Sequence, residues 1–113
     1  MVTRKEEMKL EIREKMRGGN GAAQLTGLSA ELPGKMRLFS TIRLTPGSSI
    51  GYHVHEGETE MFYFLTGKGR VQDDDKLVEV SAGDSMATFS GHGHGVENTG
   101  DEDLVFVAAI VLD

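Results

Sequence analysis

Residues 51–64 read GYHVHEGETEMFYF, and both the fold and the chemistry turn on this stretch. His53 and His55 are separated by one residue in a strand-like segment. Side chains two apart on a strand leave on the same face, so the two imidazoles share a side, with Tyr52 and Val54 on the other. Gly57 lets the chain turn, and Glu60 can open the next strand alongside. Two imidazoles and a carboxylate from neighbouring antiparallel strands can then converge on one point. Such donors suit Zn, Fe, Mn, Ni or Cu. The plainer alternative is a polar pair facing solvent.

Outward from this stretch the chain reads as short strands with turns between them. AAQLTGL (22–28) and MRLFSTIRL (36–44) precede it, the second followed by a Thr45-Pro46-Gly47-Ser48 turn. After it, RVQ (70–72) and KLVEV (76–80) form a hairpin around Asp73, Asp74 and Asp75. SMATF (85–89), HGVEN (94–98) and LVFVAAIVL (104–112) complete the series. Strands this short and this closely spaced predict an all-β sandwich or barrel. The 15 glycines, spread without a strict period, agree with many tight turns.

A chain of 113 residues makes one domain and can build its own core. It has no cysteine, so a metal must be held by His, Asp, Glu or other oxygen donors. The net charge of -6 argues against nucleic acid as a partner. No apolar run reaches membrane-spanning length, and no leader-like segment opens the chain, which predicts a cytoplasmic protein. The charged segment 1–17 supports two readings. Met8, Ile12 and Met16 have helical spacing, while Met8, Leu10 and Ile12 fit a strand. A short helix or irregular arm is expected over 1–21, ended by the breaker GGNG, with the barrel domain over 22–113. The final strand is apolar on both parities, so both its faces should be covered. A barrel covers one. A second subunit or the N-terminal arm must cover the other, and a homodimer is the expectation.

All four histidines fall in two His-x-His pairs, the second being His92 and His94. With both pairs in view, the chain resembles the cupin superfamily. The family's first motif spaces a glycine, His-x-His, a glutamate and a glycine as Gly47, His53, His55, Glu60 and Gly67 stand here. Its second motif matches Gly83, Gly91, His94 and Asn98, and departs at Phe89, where the family usually has proline. The resemblance implies a double-stranded β-helix, a jelly-roll-like barrel. It also implies one metal ion on His53, His55, Glu60 and His94, with His94 rather than His92 as the fourth ligand. His92 is then a rim residue, a neighbour of the ligands, or exposed. Losing proline at Phe89 puts the local loop shape in question more than the ligand. Asn98, in a turn sequence, suits backbone hydrogen bonding.

Three neutral imidazoles and one carboxylate leave a divalent ion with net charge +1. An octahedral ion keeps two positions open for a substrate, whereas a tetrahedral zinc is saturated and structural. The resemblance to the oxalate-decarboxylase branch implies a small carboxylate and manganese; dioxygenases and isomerases share the fold. The expected function is therefore a metal-dependent enzyme on a small carboxylate or other oxygen-rich metabolite, using Mn, Fe, Zn or Ni. The alternative is a non-catalytic metal or small-molecule sensor. Glu56 and Glu58 are proton-donor candidates by proximity, or solvated turn residues. Arg17, Arg37 and Arg43 are candidates for holding a carboxylate, with an exterior position expected for at least two. Phe62 and Phe64 share parity with Glu60, as pocket wall or as core.

Overall fold

The computed structural model describes residues 1–113 as ten strands: β1 (Leu10–Glu14), β2 (Ala22–Gly27), β3 (Met36–Leu44), β4 (Ser49–Val54), β5 (Glu58–Thr66), β6 (Lys68–Asp73), β7 (Lys76–Ser81), β8 (Ser85–Thr88), β9 (Gly93–Asn98) and β10 (Leu104–Leu112). They form a six-stranded sheet in the order β1-β2-β3-β10-β5-β8 and a four-stranded sheet in the order β4-β9-β6-β7. Every pairing is antiparallel. This is the expected all-β jelly-roll architecture. No helix is long and apolar enough to cross a membrane.

Alternation builds the core. Along β5, Glu58, Glu60, Phe62 and Phe64 turn inward, while Met61, Tyr63 and Leu65 are exposed. Leu104, Phe106, Ala108 and Ile110 of β10 meet them in the interior with Ile42, Leu44, Ile50, Val71 and Val96. Phe62 and Phe64 each pack on Phe106, with ring centroids 4.7 and 5.2 Å apart. These rings of the six-stranded sheet share one buried cluster with Ile50, Val71 and Val96 of the four-stranded sheet, and burying that apolar surface holds the two sheets together.

The N-terminal segment forms no α-helix. It carries two single 3-10 turns, Lys5–Glu7 and Met16–Gly18, on either side of β1. The strand alternation prevails because β1 can complete the free edge of β2, whereas a helix of this composition has too narrow an apolar stripe to bury. The arm therefore widens the sheet and leaves the outer face of β10 open.

Two irregularities re-aim side chains. Between β4 and β9 the register runs from Ile50↔Val96 to His53↔His94, so Gly51 and Tyr52 oppose Gly95 alone. This bulge breaks strict alternation and puts Ile50 and His53 both on the inner side. Between β3 and β10, Ile110 pairs with Leu38 and Val111 with Met36, which leaves Arg37 unpaired. Arg37 and Arg43 thus do not share a face. Arg37 reaches Glu58 at the mouth of the barrel, and Arg43 bonds Asp103 on the exterior.

Candidate metal centre

His53 comes from β4, His55 from the turn after it, Glu60 from β5 and His94 from β9. Their donor atoms all lie within 4.8 Å of one another. His55 Nε2 is 3.1 Å from His94 Nε2, and Glu60 Oε1 is 3.0 Å from each of those nitrogens. The three imidazole centroids form a near-equilateral triangle with sides of 4.8 to 4.9 Å. His55, Glu60 and His94 are buried and His53 is half-buried. His94 also stacks on Phe62, with rings 15° from parallel.

Each imidazole has its outer nitrogen engaged. His53 Nδ1 donates to the Gly51 carbonyl at 2.8 Å. His55 Nδ1 donates to Glu58 Oε2 at 2.5 Å. His94 Nδ1 lies 2.7 Å from Thr88 Oγ1. A ring that gives its Nδ1 proton away presents a bare Nε2 lone pair. Burial is the first cause lowering the His53 pKa, which keeps that ring neutral. His53 and His55, whose Nδ1 protons go to oxygen acceptors, therefore turn Nε2 lone pairs towards the Glu60 carboxylate and His94. A cation at the centre would be held by this set, and second partners of this kind are what hold ligand imidazoles in register.

Glu58 is a further part of the constellation. It shares the inward face of β5 with Glu60 and pairs with Arg37 through two bonds of 2.7 Å. Hydrogen bonds from Arg37, followed by that from His55, outweigh its burial and push its pKa down to about 2. Glu58 is therefore not a solvated turn residue, and it stays ionised at neutral pH. Glu56 is exposed. His92 is exposed as well and bonds Asp74 at 2.6 Å, away from the four-residue cluster. Asp74 Oδ1 also accepts from the Gly93 N–H, which pins the turn ahead of His94. Phe89 is exposed, and its carbonyl accepts from the His92 N–H. The turn therefore forms without proline. Asn98 is buried and serves backbone groups only, donating to the carbonyls of Leu44 and Glu102 and accepting from Gly100 N–H.

The cluster opens into a cavity of about 90 Å³. Phe62, Leu38, Ile42, Ile50, Val96 and Ile110 form its apolar wall. Phe64 lies deeper, in the core. Arg13, Arg17 and Arg37 form the basic side. Two of the three candidate arginines thus face the cavity, contrary to the exterior position expected for at least two. The bulge re-aims Arg37, and the docked N-terminal turn brings in Arg17. Sequence reasoning missed Arg13, Thr88 and Asp74. The inward parity of Glu58 was readable from Glu60, Phe62 and Phe64; nothing local marks the others.

Residues 40–110 match the sequence profile of the Cupin domain family. The chain belongs to the cupin family. This cupin is 45% identical over 114 residues to the Oxalate-binding protein of Thermotoga maritima, covering 99% of this chain and 94% of that one. It superposes on the crystal structure of a predicted oxalate decarboxylase from Thermotoga maritima with a TM-score of 0.94, at 44% identity and with both chains fully covered. The fold also recurs in the cupin domain of Schizosaccharomyces pombe Cnp3, with a TM-score of 0.75 at 14% identity, covering 91% of this chain and 69% of that one.

Proposed function

We propose that this cupin binds one divalent transition-metal ion through His53, His55, Glu60 and His94, and through it a small carboxylate such as oxalate. The observation that carries the reading is the three-way approach of His55 Nε2, His94 Nε2 and Glu60 Oε1 at 3.0 to 3.1 Å. Donors this close can share one ion at about 2.1 Å. His53, His55, Glu60 and His94 would hold a divalent ion such as Mn or Fe, which would supply Lewis acidity to a carboxylate. A bound ion supplies a net +1 charge and open positions to a carboxylate oxygen. The remaining residues bind and orient: Phe62 and its apolar neighbours exclude water, and the arginines face the anion.

The cavity volume limits the ligand. About 90 Å³ matches the liquid volume of about three waters, which suits a small ligand of oxalate's size. The name of the Thermotoga maritima relative, Oxalate-binding protein, supports the same class of ligand.

Binding is favoured over decarboxylation. Decarboxylation needs a proton donor near the carbon left behind. The only carboxylate lining the cavity is the ligand Glu60, and Glu58 is held ionised by Arg37 and His55. Protein loaded with Mn(II) is expected to bind oxalate without consuming it. Calorimetry paired with a formate and CO2 assay tests this. Turnover in the assay refutes a purely binding role, and a loaded protein that binds no carboxylate refutes the ligand class.

The outer face of the six-stranded sheet supports a homodimer. Leu10, Thr26, Thr41, Val107 and Tyr63 lie in one row across it, with Phe39, Ala109 and Met61 in the next. Phe39, Met61 and Tyr63 are exposed, and the arm does not cover them. A second copy presenting the same face would bury both sets at once.

A further inference from the structure

The turn Met16–Gly18 is clamped onto β4. A Cβ on Gly51 would sit 2.0 Å from the Arg17 carbonyl oxygen, and one on Gly19 would sit 2.2 Å from the Ser49 carbonyl oxygen. The two backbones approach as only glycine permits. Ser49 N–H donates to the Asn20 carbonyl at 2.9 Å, and Asn20 N–H donates to Ser49 Oγ at 2.8 Å. Lys15 N–H donates to the Gly21 carbonyl at 2.8 Å and closes the loop. Lys15 and Arg17 both take left-handed backbone angles, φ 49° and 55°. Such angles are unfavourable for long side chains and persist only where the surroundings enforce them.

This backbone places Arg17 on the cavity wall, above β4 and its His53. The three arginines there differ in their commitments. Arg37 is paired with Glu58, and Arg13 with Glu11 through bonds of 2.9 and 3.0 Å. Arg17 makes no side-chain hydrogen bond and no ion pair.

We propose that Arg17 determines specificity by holding the outer carboxylate of a dianion whose other end faces His53, His55, Glu60 and His94. This rests on the reading of the cavity as a metal–carboxylate site. One unpaired guanidinium lining the same small cavity as a cluster that would carry a positive charge with its ion bound matches a ligand charged at both ends. A planar guanidinium grips a carboxylate through two parallel bonds, which a monoanion already on the metal cannot offer.

The test uses the full chain loaded with Mn(II), titrated calorimetrically with oxalate and with formate. Wild type is compared with Arg17→Gln and Arg17→Lys, with metal content and far-UV circular dichroism measured on each. Arg17→Gln is expected to keep full metal and fold, to lose at least tenfold in oxalate affinity, and to change less than twofold towards formate. Arg17→Lys falls between, since it keeps the charge and loses the fork. An Arg17→Gln protein that holds metal and binds oxalate within twofold of wild type overturns the role of Arg17 and leaves the metal–carboxylate site standing. An equal loss towards formate overturns the two-ended recognition. A loaded wild type that binds neither anion overturns the underlying site, and Arg17's role with it.

Discussion

Glu58 accepts the Nδ1 proton of His55 at 2.5 Å while Arg37 holds the same carboxylate from the other side. An ion pair at the rim is thereby wired to a buried imidazole. It sets which nitrogen of His55 faces the centre.

Glu58→Gln keeps the size of the side chain and removes the charge that orients His55. Removing such a partner weakens metal affinity about 10- to 100-fold. Competition against a chelating dye should show a loss within that range. Arg37→Ala, which leaves the His55–Glu58 bond in place, should lose less. Unchanged affinity in Glu58→Gln would mean that the charge of Glu58 plays no part in orienting His55.

His94→Ala removes a ligand and also the ring stacked on Phe62. Metal content measured after purification should fall well below one ion per chain. Chelating the wild type should also lower Tm, because an ion that binds only the folded state stabilises it by about 2.7 kcal/mol at a hundredfold excess over Kd. A His94→Ala protein with full metal content would exclude His94 as a ligand.

Asp74 tests the loop that carries His94. Its pKa is lowered from an ordinary 3.8, first by the Gly93 N–H and then by His92. A depressed carboxylate adds stability that is fully present above its unfolded value and is lost as pH falls through its folded value. Asn tolerates the left-handed angle at this position, φ 54°. Metal-free Asp74→Asn should therefore melt lower than wild type at pH 7, with the gap closing below about pH 3.8. A gap that does not change with pH would place the stabilisation elsewhere.

Light scattering should give a particle of twice 12.3 kDa. Tyr63→Glu, which sets a charge in the middle of the open apolar face, should give the monomer with its fold intact. A wild type of monomer mass at working concentration would refute the dimer.

Part of the site was legible because its signals are local. The parity of His53 and His55 and the turn at Gly57 follow from strand geometry, while His94, on a distant segment, was reached through the resemblance to the cupins. Glu58 was half-legible, since its inward parity matched Glu60 but its partner Arg37 depends on a bulge. Arg13 and Arg17 were not legible as cavity residues, because they lie in a segment whose helical and strand periodicities compete.

By itself the sequence determined an all-β chain with His53 and His55 on one face and a turn leading to Glu60, because alternation and turn chemistry act over a few residues at a time; the resemblance to the cupins added His94 and the metal-binding reading. The tertiary structure alone decided how that set is held and what faces it. The bulges at Gly51–Tyr52 and Arg37 arise from pairing with other strands. The Gly19–Gly51 contact joins segments that meet only when the sheets close. Both depend on the register between distant parts of the chain, and register is settled by packing the whole core at once.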